Sequence, residues 1–314
     1  MHSMTKTKAI HEPHEDEMEN QALRLERTGR FKILRRIEPA TPVDFLGHVG
    51  SQLGVFVDVE TTGLRADVDE IIEVAMVPFS YSLAGEVLAT HVPFSGLLQP
   101  SSPIPPAITA LTGIDDDAVR GKTMTAADLP SWLGRSSLVL AHNAAFDRSF
   151  LEKVFPVFRE LRWACSHQDV PWKEEGLKSA GLEAVAASFG FFYTAHRGLD
   201  DCWAGVEILG RLLPRSGRTV LDVLLARIDQ PNVRLWALGA PYAGKEGLKA
   251  SGYRWNSGEK GGPKSWYKDF SDWSEAHEEA RRLCDEVYGR HVDLPLREIS
   301  TTDRHSPRSW LASG

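Results

Sequence analysis

Cysteine is scarce in this chain: three in 314 residues, Cys165, Cys202 and Cys284, with no Cys-x-x-Cys pair. That scarcity excludes a disulfide framework and a zinc knuckle, and leaves three ordinary reduced thiols. Long apolar runs are missing too, since nothing approaches the roughly 18 residues of a membrane span. The opening MHSMTKTKAIHEPHEDEMEN lacks the apolar centre of a signal peptide. The expectation is a cytoplasmic protein with no membrane partner. A positive excess is also absent: 36 Lys and Arg stand against 43 Asp and Glu, a net charge of −7, where a nucleic-acid binder usually carries a basic footprint. The distribution qualifies that exclusion. Residues 1–50 carry 8 basic and 8 acidic side chains, residues 51–214 carry 12 and 21, and residues 215–314 carry 16 and 14. The acidity sits in the middle block, and an acidic block meets phosphate when its carboxylates hold divalent cations.

What is present divides the chain. Residues 1–22 read as a polar, disordered tail, and 23–50 as an N-terminal helical extension with apolar and charged residues alternating in ALRLERTGRFKILRR. From Gly54, the runs GVFVDVE, EIIEVAMVPFSY and EVLATHVPFSGLLQP predict three successive antiparallel strands, and SSLVLAH a fourth. Helical patterns follow or intervene in PPAITALTG, AADLPSWLGR, AAFDRSFLEKVFPVF, GLEAVAASFG and DDCWAGVEILGRLL. A meander followed by strand and helix in alternation is an α/β domain with a mixed sheet, here over residues 51–214. Residues 231–314 form a small C-terminal module. Within it residues 245–268 hold six Lys or Arg against two Glu, interleaved with Tyr253, Trp255, Trp266 and Tyr267. That mixture suits nucleic acid, cations for phosphates and rings for bases, although composition alone favours burial of the two Trp.

The strand GVFVDVE carries two carboxylates two residues apart. Along a strand such residues share a face, so Asp58 and Glu60 crowd like charges, at a cost that a cation between them removes. Three further pieces follow in order. HNAAFD places His142 and Asn143 at a strand end and Asp147 in the next helix. HRGLDD places His196 in a turn, and Asp201 five residues later near a helix start.

Together these pieces resemble the three motifs of the DEDDh 3′-to-5′ exonucleases, over roughly residues 52–213, and most resemble bacterial relatives of the epsilon proofreading subunit of DNA polymerase III. LTGI at 111–114 is a further segment common in that family. The resemblance implies a ribonuclease-H-like mixed sheet flanked by helices, with the small C-terminal module of α+β type beside it. It implies hydrolysis of DNA from a free 3′ end by two divalent cations, Mg²⁺ or Mn²⁺. Asp58, Glu60 and Asp201 would hold one ion with Asp58 bridging to the second, and Asp147 would act through bound water. His196 would be the general base, imidazole being the side chain that titrates nearest neutrality. Association with a polymerase is a further implication.

Thr61, Thr62 and Gly63 could offer backbone amides to the terminal nucleotide, Leu64 could pack on its base, and His142, Asn143 and Phe146 could face substrate. The bland alternatives are a tight turn at Gly63, helix capping by His142 and Asn143, and a core position for Phe146. Gly198 stands where relatives often have Ala and could loosen the His196 turn. RGKT (120–123) is not a phosphate loop, because Asp116 occupies the position of its required first Gly. An RNA-directed exonuclease and a non-catalytic nucleic-acid scaffold are the competing readings.

Overall fold

The structure, a computed structural model, describes residues 15–43, 51–230, 232–258 and 262–310. The first part runs α1 (Glu15–Arg27), β1 (Arg35–Arg36), β2 (Gln52–Thr61), β3 (Ile71–Tyr81), β4 (Val87–Thr90) and β5 (Phe94–Leu97). Next come α2 (Pro106–Thr112), α3 (Asp116–Val119), β6 (Leu138–Ala141), α4 (Ala144–Val154), β7 (Trp163–Cys165), α5 (Leu182–Ser188), β8 (Phe191–Phe192), α6 (Gly198–Leu209) and α7 (Val220–Ile228). The remainder is β9 (Val233–Ala237), α8 (Lys245–Ala250), β10 (Arg254–Asn256), β11 (Ser265–Phe270), α9 (Trp273–Leu283) and β12 (Leu296–Glu298).

The central sheet has the order β4-β3-β2-β6-β7, with β5 also on β3. β2 is antiparallel to β3 and parallel to β6, and β6 is parallel to β7. This is the expected mixed sheet flanked by helices. The period of two in β2 explains the layering: Val55, Val57 and Val59 enter one core with Phe150 and Leu151 of α4, and Phe56 enters the other with Cys202 and Val206 of α6. Both faces are therefore covered, and an acid on β2 lies beneath a helix.

Several expectations need correction. The run from Glu86 to Pro100 is two strands, because Pro93 has no N–H to give a ladder and the buried His91 ring turns inward, with Nε2 2.7 Å from the Ser80 hydroxyl. AADLPSWLGR, around Pro130, gives only two short turns, Ala126–Asp128 and Leu133–Arg135, with no α-helix. Helix α1 begins inside the stretch expected as tail. It ends early in the supposed helical extension, whose Arg35–Arg36 instead pairs in parallel with Phe191–Phe192. The rest of the tail reading, residues 1–14, and residues 44–50 of the extension lie outside the described residues.

The C-terminal module is an antiparallel sheet of order β10-β11-β9-β12 packed on α9, around Leu235, Leu248, Tyr253 and Leu283. Beyond β12 the chain returns to the larger domain through Asp303–Arg308. Arg148, fully buried on α4, donates to the backbone carbonyls of Thr302 and Arg304 and, at 2.6 Å, to the Glu152 carboxylate. Ser306 Oγ donates to the same carboxylate at 2.8 Å. Arg304 Nη2 and His305 Nε2 each stand 2.8 Å from an oxygen of Asp169. The terminal segment thus straps the module to the residue next to Asp147. Among the described residues, no helix is long and apolar enough to cross a membrane.

Candidate active site

β6 pairs with β2 only from Gly54 to Phe56, then ends at Ala141 and turns into α4. β2 runs on to Thr61, so its edge facing β6 has backbone groups without a ladder. The Asp147 carboxylate of α4 takes that place, accepting the Val59 N–H at 3.1 Å. From the other side α6 crosses β2 and β3 and brings in Asp201 on its first turn. Asp58, Glu60 and Asp201 offer carboxylate oxygens that all lie within 4.8 Å of one another. Asp201 joins this group and the neighbouring Asp200 does not. The group sits beyond the carboxyl end of β6, where parallel strands leave a crevice for ligands.

Each acid is positioned. Tyr193 Oη donates to Asp201 Oδ1 at 3.0 Å, and the Arg197 backbone N–H to Oδ2 at 3.0 Å. The β2–β3 register sets Glu73 directly opposite Glu60, and Ser95 Oγ donates to Glu73 at 2.7 Å. Glu73 and Tyr193 were missed in the sequence. The signal for Glu73 was an acid interrupting the second apolar run, but only the register places it opposite Glu60.

Four carboxyls here are pushed toward their neutral forms. Burial raises Asp58 well above the usual range, and Asp147, Asp201, Glu60 and Glu73 add repulsion. Burial, then Asp201 and Glu73, lifts Glu60 to about 7, with only partial relief from Arg197. Burial lifts Asp147 to about 8 despite the N–H it accepts from Val59, and raises Asp201 despite its own hydrogen bonds. An all-oxygen, all-acidic set whose repulsion the protein leaves standing fits a hard divalent cation.

His196 is exposed and lies just before α6, with φ of 61°, a left-handed backbone that a non-glycine residue adopts only where its surroundings hold it. The expectation that Gly198 loosens this turn is corrected. A Cβ at Gly198 would stand 2.8 Å from the Ala75 Cβ and 3.1 Å from Glu73 Oε2, so the glycine lets the start of α6 approach β3 closely.

The seven expected substrate contacts separate. Leu64, Asn143 and Phe146 share one wall of a large cleft, and Leu64 is 84% exposed. Asn143 has φ of 78° and its side chain makes no capping bond, contrary to the capping alternative. Phe146 is half-buried with its ring centroid 5.1 Å from that of Phe150. Thr61, Thr62, Gly63 and His142 are not on that wall. The Thr61 hydroxyl donates to the Gly63 carbonyl at 2.5 Å, and the Thr62 hydroxyl accepts the Glu70 N–H at 3.0 Å. A Cβ at Gly63 would stand 2.5 Å from the Asp69 carboxylate, so the turn packs closely on Asp69. His142 Nδ1 is 2.9 Å from Ser166 Oγ, and burial, then His167, holds its imidazole down to about 4.

Known proteins are similar to much of this chain. The family model described as Exonuclease matches residues 55–209. The chain is 30% identical over 212 residues to the DNA polymerase III PolC-type protein of Thermotoga maritima, a match spanning 64% of this chain and 15% of that protein. It is 28% identical over 171 residues to DNA polymerase III subunit epsilon of Treponema pallidum, spanning 51% of this chain and 76% of that one. Among solved structures, Exonuclease X in complex with 5′ overhanging duplex DNA aligns with a TM-score of 0.42 and 25% identity, over 55% of this chain and 98% of that one. The motif acids all fall within residues 55–209, the stretch of the chain that matches the exonuclease family model.

Proposed function

We propose that the chain is a metal-dependent 3′-to-5′ exonuclease that hydrolyses DNA to nucleoside 5′-monophosphates. The observation that carries this reading is the convergence of Asp58, Glu60 and Asp201 within 4.8 Å, with buried Asp147 alongside and the exposed His196 at the start of the helix that bears Asp201. The acids would hold two divalent cations, Mg²⁺ or Mn²⁺. When bound, these supply positive charge for the phosphate and a water acidic enough to lose its proton near neutral pH.

The chain's own residues do the rest. Asp58 and Glu60 are fixed by the pairing of β2 with β3, and Asp201 by Tyr193 and the Arg197 N–H, so the oxygens are pre-set rather than gathered by substrate. His196 takes the proton of the attacking water, and its exposure lets that proton pass to solvent. Leu64, Asn143 and Phe146 line the approach for the terminal nucleotides. The relatives' names also support association with a polymerase as a subsidiary reading.

Direction and product are tested with one oligonucleotide labelled in turn at each end. The reading expects a descending ladder from the 5′-labelled strand and a single released nucleotide from the 3′-labelled one. Internal cuts, or release of the 5′ label first, would contradict it. A matched RNA strand separates the RNA-directed alternative, and His196→Ala tests the base.

A further inference from the structure

LTGI at 111–114 and the Arg197 that follows His196 are pieces of the sequence that the metal site does not use. The structure brings them together. Gly113 closes α2 with φ of 69°, a left-handed backbone that favours glycine. Its neighbours lock the turn. The Gly113 N–H donates to the Thr109 carbonyl at 2.8 Å, while the buried Thr112 hydroxyl donates to the Ile108 carbonyl at 3.0 Å and accepts the Ile114 N–H at 3.1 Å. Ile114 enters a small core with Ile72, Ile104 and Val119. The Arg197 guanidinium lies over the bare face of the glycine: a Cβ at Gly113 would collide with Nη1 and Nη2 and stand 2.7 Å from Cζ. The end of the side chain rests where any other residue would carry a side chain of its own.

Arg197 is at the same time a neighbour of the acids. Its backbone N–H holds Asp201, its charge partly relieves Glu60, and the next residue, Gly198, packs on Ala75 and Glu73. Yet its side chain is exposed and, among the described residues, makes no hydrogen bond or ion pair. Other arginines are committed to acids. Arg304 pairs with Asp169 at 2.8 Å at the seam between the exonuclease domain and the C-terminal module, and Arg234 with Asp269 at 2.6 Å within the module. Arg197 stands at the edge of the acidic group and pairs with none of it. A guanidinium laid against backbone, with its remaining N–H groups in water, is ready to receive a phosphate through a bidentate pair. Two divalent cations would balance Asp58, Glu60, Asp147 and Asp201, which leaves Glu73 and the charge of the phosphate itself. A fixed cation at this edge answers that excess.

From this juxtaposition we propose that Arg197, seated on Gly113, binds a phosphate oxygen of the nucleotide at the metal site. Gly113 is a positioning residue, because it acts only by giving the guanidinium its seat. LTGI thereby acquires a role: Thr112 and Ile114 fix the turn, and the glycine between them leaves its face open. The proposal deepens the exonuclease reading and rests on it for the identity of the nucleotide as a 5′-monophosphate.

The test uses the full chain, Mn²⁺ and thymidine 5′-monophosphate in isothermal titration calorimetry. Arg197→Gln should weaken binding of the monophosphate at least about tenfold, as the loss of a hydrogen bond to a charged group does. Its affinity for Mn²⁺ alone should be equal or tighter, since a charge that repels the ion is gone. Arg197→Lys should recover part of the loss, keeping the charge without the fork. Thymidine, which has no phosphate, should bind the wild type and Arg197→Gln alike. Gly113→Ala should weaken the monophosphate as Arg197→Gln does, and the double variant should lose no more than either alone. Because Arg197 is exposed, its variants read the site even where Gly113→Ala fails to fold. Equal monophosphate affinity in the wild type and Arg197→Gln, a parallel loss of Mn²⁺ affinity, or additive losses in the double variant overturns the assignment. Failure of the exonuclease reading looks different: the wild type leaves a 5′-labelled oligothymidylate intact in Mg²⁺, while calorimetry still reads Arg197.

Discussion

Asp147 is a buried carboxylate of the exonuclease domain and Asp269 a largely buried one of the C-terminal module, yet their proton affinities move in opposite directions. Burial lifts Asp147 to about 8, and further acids surround it. Burial also acts on Asp269, but Arg234, at 2.6 Å, and Arg254 outweigh it and hold the carboxyl below its usual range. Asp169 repeats the second pattern at the seam, where His305 and Arg304 overcome burial and leave it well below the ordinary value. The protein has the means to neutralise a buried acid and uses them in the module and the strap. At Asp58, Glu60, Asp147 and Asp201 it leaves the charge standing, and the difference marks where an external cation is expected.

The largest effect should come from breaking the uncompensated side. Asp201→Asn keeps the shape of the site and removes one ligand charge, so DNA hydrolysis should fall at least about a thousandfold, several kcal/mol of transition-state stabilisation. Circular dichroism and thermal melts should show a folded protein, with metal-free stability equal or higher, since one repelling charge is gone.

The compensated side should respond the other way. Asp169→Asn leaves Arg304 buried without its carboxylate, and removing one partner of such a pair costs about 3–5 kcal/mol. Denaturant unfolding should show that loss, whereas the folded fraction keeps metal binding. A stability change under about 1 kcal/mol would remove the structural role given to the strap.

A smaller effect is the pH dependence of the metal-free protein. Raised carboxyls such as Glu60, at about 7, and Asp147, at about 8, contribute stability that is full below their unfolded values and is lost as pH rises through the folded ones. Asp169 and Asp269, held low, contribute above their unfolded values and lose that contribution as pH falls. Tm without metal should therefore decline between about pH 5 and 8, and Mg²⁺ should raise it more at the upper end. Asp58→Asn should flatten the upper limb, and Asp169→Asn the acid one.

The two regions also differed in how far the sequence revealed them. The acids of the candidate site were legible because a strand's period of two places Asp58 and Glu60 on one face and short motif spacings place Asp147 and Asp201 on helix starts. Glu73 was not, because its place depends on the register of β3 on β2. The seam was opaque for a simple reason: Asp169 is 135 residues from Arg304 and 136 from His305, and no local pattern records such a contact. Composition also argued for a buried Trp255 because most Trp are buried. Trp255 lies on the edge strand β10 beside Trp266 and is left 54% exposed.

The central claim, that the uncompensated acids are a metal site that performs hydrolysis, is tested most directly by incubating a 5′-labelled oligonucleotide with the wild-type chain and with Asp58→Asn, each in Mg²⁺ and in EDTA. Shortening by the wild type in Mg²⁺ alone is the expected result. Shortening that persists in Asp58→Asn, or in EDTA, would contradict it.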